Sequence, residues 1–117
     1  MKKLILTVLL VLCFAFSSLA QSPEGLRSSG LKTSDSSVVQ YPCYFYGVEV
    51  ITNGSSDATC IIYDSSTATG TVAFKGKVAA ASNFGGIIYN YPIEMFNGIY
   101  LDIDGTSAAC IIYWKNR

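Results

Sequence analysis

Residues 99–115 read IYLDIDGTSAACIIYWK. Ile99, Leu101 and Ile103 alternate with Tyr100, Asp102 and Asp104. A period of two marks a strand with one dry and one wet face. Asp104-Gly105 follows, a pair suited to a turn because glycine takes positive φ at little cost. Thr106-Ser107-Ala108-Ala109 leads into Cys110-Ile111-Ile112-Tyr113, which is apolar on both faces and fits a central or covered strand. The whole stretch predicts strand, turn, strand.

An earlier segment repeats it. Residues 48–64, VEVITNGSSDATCIIYD, align with one residue more, placing Gly54 on Gly105, Cys60 on Cys110 and Tyr63 on Tyr113. Each copy reads as one β-hairpin. The small residues Ala58, Ala108 and Ala109 let the second strand start close to other backbone. Two copies are too few for a solenoid or propeller, and they predict a pseudo-symmetric pair of sheets.

The rest of the chain from Tyr41 agrees. In residues 72–78, Val72, Phe74 and Val78 alternate against Lys75 and Lys77, and Val48, Val50 and Thr52 share a face. Asn53-Gly54, Asn97-Gly98, Thr69-Gly70 and Gly85-Gly86 predict turns, and Pro42 and Pro92 suit strand starts or edges. No helical period intrudes. These patterns predict an all-β fold over residues 41–117: a single small antiparallel β-sandwich, jelly-roll-like, with an internally repeated hairpin. Its expected core is Val48, Val50, Cys60, Ile62, Val72, Phe74, Val78, Ile99, Leu101, Ile103, Cys110 and Ile112.

Upstream, Lys2 and Lys3 precede an apolar run over residues 4–16, then Ser17-Ser18-Leu19-Ala20. A charged start, a short apolar stretch and a small-residue site predict a signal peptide over residues 1–20, cut before Gln21. The run is short for a membrane-spanning helix, which needs ~20 residues. No stable membrane span is expected after cleavage, and the expected location is periplasmic or extracellular. Residues 21–40, QSPEGLRSSGLKTSDSSVVQ, are rich in serine and glycine and predict a flexible arm.

Composition narrows the chemistry. The 117 residues carry a net charge of +0 and no histidine. The first excludes the basic surface that nucleic acid requires, so no nucleic-acid partner is expected. The second removes Ser-His-Asp and Cys-His catalysis and histidine-containing zinc sites. Beyond residue 20 remain six basic and eight acidic residues and three cysteines, Cys43, Cys60 and Cys110. Three cannot all pair within one chain. Cys60 and Cys110 hold equivalent repeat positions and both face inward. A disulfide between them and a pair of buried apolar thiols are both open.

Asp102 and Asp104 share a strand face before a turn. They are weak candidates for a metal, because the matching bidentate acid is absent. No cofactor is expected. Aromatic residues cluster at Tyr41, Tyr44, Phe45 and Tyr46 and again at Phe84, Tyr89, Tyr91 and Phe96. Tyr41, Tyr44, Tyr46, Tyr89 and Tyr91 are candidate interface residues, since tyrosine anchors interfaces and stacks on sugars; packing within the sheet is the other reading.

Three stretches carry a resemblance: NGSSDATCIIYDSSTATGT (53–71), AASNFGG (80–86) and FNGIYLDIDGTSAACIIYW (96–114). Together they resemble a family of small β-sandwich structural proteins of tailed phages. The similarity spans residues 46–114. It implies a virion decoration or tail-associated subunit that assembles symmetrically, docks on a larger shell, and has neither catalysis nor a cofactor. The signal peptide points to a second expectation, a secreted β-sandwich module that binds glycans or a cell surface.

Overall fold

The computed structural model describes residues 25–117. The expected signal peptide, and residues 21–24 of the expected arm, lie outside the described residues. Eight strands follow one another: β1 (Leu26–Ser28), β2 (Ser36–Val39), β3 (Cys43–Ile51), β4 (Ala58–Asp64), β5 (Thr71–Val78), β6 (Phe84–Met95), β7 (Ile99–Asp104) and β8 (Ala109–Asn116). One 3₁₀ turn, Ala80–Ser82, precedes β6.

Two four-stranded antiparallel sheets result, β1-β8-β3-β6 and β2-β7-β4-β5. Their order has a simple origin. The chain doubles back between β4 and β5 into one long ribbon, so that β4 pairs with β5, β3 with β6, β2 with β7 and β1 with β8. Rolling that ribbon lays β8 on β3 and β7 on β4. This is a jelly roll, a β-sandwich closed on itself to limit its free edges.

The core lies between the sheets. Val48, Val50, Cys60, Ile62, Ile99, Leu101, Cys110 and Ile112 are all sealed from solvent, and Phe74 and Ile103 pack against them. Phe45, Met95, Cys43, Val39 and Trp114 complete it. Phe45 meets Tyr89 edge to face at 5.9 Å, the preferred geometry for two ring quadrupoles.

Four expectations are corrected. Residues 25–40 of the expected arm are structured: β1 and β2 form an edge of each sheet, with Val39 buried. Asp35 accepts a hydrogen bond from the Ile103 amide at 2.8 Å, and the Ser29 hydroxyl accepts one from the Ile112 amide at 2.9 Å. A composition rich in serine hides this, because these residues contribute backbone and hydroxyl pairing in place of an apolar face.

The repeated unit is not a hairpin. In the first copy the chain leaves β3 in one sheet and enters β4 in the other; in the second it crosses back from β7 to β8. The four strands of the repeat are the inner strands of both sheets, and a neighbour on each side half-buries the outward-facing Ile61 of β4 and Ile111 of β8. Gly105 sits where the two corners meet: at φ +133°, its Cα faces the Asp57 carbonyl and the Ala58 backbone. A side chain there would strike backbone.

Val72 faces solvent, 49% exposed. The register between β4 and β5 slips at Ile62/Tyr63, so Phe74 stands opposite Ile62 while Val72 stands opposite Tyr63. A bulge of this kind turns one side of the alternation outward. Gly85-Gly86 makes no turn and lies inside β6. A Cβ on Gly86 would collide with the Val48 carbonyl across the strand pair, so glycine serves close approach there.

Candidate functional site

Of the four sheet edges, three are blunted. β1 has three residues and carries Arg27; β2 is short, serine-rich and irregular in register; β5 carries Lys75, Lys77 and the bulge at Ala73. Short length, lysines and bulges are common means of keeping an edge from pairing with another chain. β6 is different. It runs for twelve residues and carries no lysine or arginine. Its protection comes late, from Pro92 and from the extra residues 89–92, which the register with β3 leaves unpaired.

The first half of β6 presents apolar side chains to water. Phe84 is 61% exposed and Ile88 57% exposed, with Ile87 beside them. By register, Ile88 lies next to Gly47 and then Tyr113, and Gly86 next to Glu49 and then Ile111. All of these share the outer face of the sheet. Because Gly86 has no side chain, a shallow groove of about 200 Å³ opens between Phe84 and Ile88, with Glu49 at its back. The Tyr113 hydroxyl donates to Glu49 Oε2 at 3.2 Å. Burial, reinforced by the Glu49 charge, pushes the Tyr113 phenol up, which keeps it protonated as the donor. The groove thus offers apolar walls and one oriented carboxylate.

The tyrosines divide. Tyr91 is 89% exposed on the unpaired segment of β6. Tyr41 is exposed and bonds the Asn116 amide oxygen at 3.3 Å. Tyr44 and Tyr46 are half-buried in β3, near the same end of the sheet. Tyr89 belongs to the core margin, against Phe45. Phe96, at the end of β6, lies under the Arg117 guanidinium at 5.6 Å, and Arg117 pairs with Glu94 at 2.7 Å.

Asp102 and Asp104 stand on the outer face of the second sheet, opposite Ile61 and Thr59. Lys75 and Lys77 flank the same two residues from the other side. No cluster of three metal-ligating side chains occurs among the described residues. Other acids hold loops. Asp64 accepts the Phe96 and Asn97 amides at 3.0 and 2.7 Å. Asp57 pairs with Lys77 at 2.8 Å and accepts the Ala80 amide, which together hold its carboxyl below the usual range.

The three thiols are free and buried. Burial, with a smaller contribution from Asp64, pushes Cys43 up to about 11. Cys60 is raised much further, first by the neighbouring Cys110 thiol and then by burial.

Ile87, Ile88 and Glu49 are absent from the candidates that the sequence yields. Their signal is the doublet Ile87-Ile88, which breaks the alternation beside two glycines. No helix among the described residues is long and apolar enough to cross a membrane. No family model, curated protein or solved structure significantly matches this chain.

Proposed function

We propose that this chain is a non-enzymatic assembly protein, of the kind represented by phage virion decoration or tail-associated subunits. It works by self-association or by docking on a larger protein array. The observation that carries this reading is the contrast among the sheet edges: three are blunted, while the first half of β6 leaves Phe84, Ile87 and Ile88 open to water. Unpaired strand groups beside exposed apolar side chains favour addition of another strand. A symmetric contact through one such edge gives closed oligomers.

Light scattering on the purified protein across a concentration series tests it. Self-association that Phe84→Lys with Ile88→Lys abolishes, at an unchanged unfolding midpoint, supports the reading. A monomer at every concentration, or an oligomer indifferent to both substitutions, overturns this use of the edge.

The groove favours a second reading. A shallow floor with an aromatic wall and an oriented Glu49 carboxylate suits a glycan. On that reading the chain is an exported binding module, with its mature start at Gln21. Binding of an oligosaccharide by a strict monomer, lost in Glu49→Gln, would favour it. Intact mass of secreted protein tests the cleavage site.

A further inference from the structure

Facing sheets of a sandwich stand ~10 Å apart, too far for a disulfide, whose Cα atoms lie ~4.4–6.8 Å apart. A cross-sheet bond therefore needs a place where the sheets converge. The corners of the internal repeat supply one. A Cβ at Gly105 would lie 3.1 Å from Ala58 Cα and 3.3 Å from Ala108 Cβ, so the starts of β4 and β8 are held close together. Cys60 lies two residues beyond Ala58, and Cys110 two residues beyond Ala108. Both are at 0% exposure, and both project into the core from inner strands of opposite sheets. Cys60 stands beside Ile103 and Cys110 beside Val50, so both side chains lie on the inner faces that meet at this corner. Small residues at 58, 108 and 109 make the convergence possible, and the pseudo-symmetry of the repeat makes the two sulfurs equivalent.

Cys43 is placed elsewhere. It stands opposite Asn116, six residues along β8 from Cys110, a separation of about 20 Å at the strand rise.

We propose that Cys60 and Cys110 form a disulfide site, closed during folding in an oxidising compartment, and that Cys43 remains the free thiol. The bond ties the two sheets at the corner where the repeat crosses between them. The oxidant is an external disulfide. One thiolate attacks it and forms a mixed disulfide; the second thiolate displaces the remaining external thiol. Two S–H bonds and one external S–S bond are lost. The Cys60–Cys110 bond and two external thiols are formed. The exchange precedes closure of the core, because both sulfurs are sealed in the folded chain and thiolates form readily only while the groups are solvated.

Refolding of the reduced full-length chain carrying Cys13→Ala, which leaves Cys43, Cys60 and Cys110 as its thiols, in a mixture of reduced and oxidised glutathione tests the site. Alkylation under denaturing conditions is followed by digestion with trypsin and a glutamate-specific protease, which cuts at Glu49, between Cys43 and Cys60. The expected result is a cross-linked peptide pair joining Cys60 to Cys110, with Cys43 alkylated. The bridge persists in Cys43→Ala, and its reduction lowers the urea midpoint. Full alkylation of Cys60 and Cys110, a bridge that includes Cys43, or a midpoint unmoved by reduction overturns the proposal. The peptide map of the Cys13→Ala chain decides the pairing even where the added Cys43→Ala fails to fold.

Discussion

Leu101→Ala and Val72→Ala should separate sharply, although simple alternation puts both residues in the core. Leu101 is sealed, opposite Ile62 on one side and Ser36 on the other. Truncation removes three carbons, worth about 2.4 kcal/mol at ~0.8 kcal/mol each. The surrounding sheets hold the cavity open, which brings the cost to ~3–5 kcal/mol. Val72 loses two carbons from a site that is 49% exposed. Half of that transfer value is about 0.8 kcal/mol, with no cavity term because water fills the space. Urea unfolding followed by the fluorescence of Trp114, the single tryptophan and a buried one, measures both. With a slope near ~1 kcal/mol/M, Leu101→Ala moves the midpoint by about 3 M or more and Val72→Ala by less than about 1 M. All variants are compared with their thiols reduced. Equal costs, or a larger cost for Val72→Ala, would refute the bulge in β5 and the face assignment built on it.

Other expectations follow from single contacts. Lys75→Ala, on the outer face opposite Ile61, should change stability by no more than ~0.5 kcal/mol; a larger loss in the same assay would place the side chain inward. Asp64→Ala strips the amides of Phe96 and Asn97 of their shared acceptor and should cost ~1–3 kcal/mol. Asp64→Asn, which keeps one acceptor oxygen, should recover part of that. Stability should fall at alkaline pH. Cys43, raised by burial to about 11 in the folded chain, ionises near ~8.5 when unfolded. The unfolded state therefore loses its proton first. The contribution is full below ~8.5 and is lost as pH rises toward 11. A urea midpoint that is flat between those values in the wild type, or that declines equally in Cys43→Ala, would contradict it.

Residues 99–115 and their earlier copy made much of the fold legible. Period-two alternation identified β7, and the doubly apolar Cys-Ile-Ile-Tyr runs identified β4 and β8 as inner strands, because a neighbour on each side half-buries the outward-facing Ile61 and Ile111. Short-range chemistry also located the turns at Gly54, Gly98 and Gly105. What alternation cannot register is a change of phase: a bulge costs one residue of sequence and turns a face over, as at Val72. Nor does a turn reveal whether its second strand pairs with the first or crosses to another sheet. Gly105 and Ala58 decide that through a backbone contact between residues 47 positions apart. The same holds for β6. Its residues read as strand and turn, yet its standing as the open edge follows from the rolling of the ribbon, which leaves β3 on one side of it and water on the other. Side-chain chemistry is written in local sequence; which strand lacks a neighbour is a property of the closed sheet order alone.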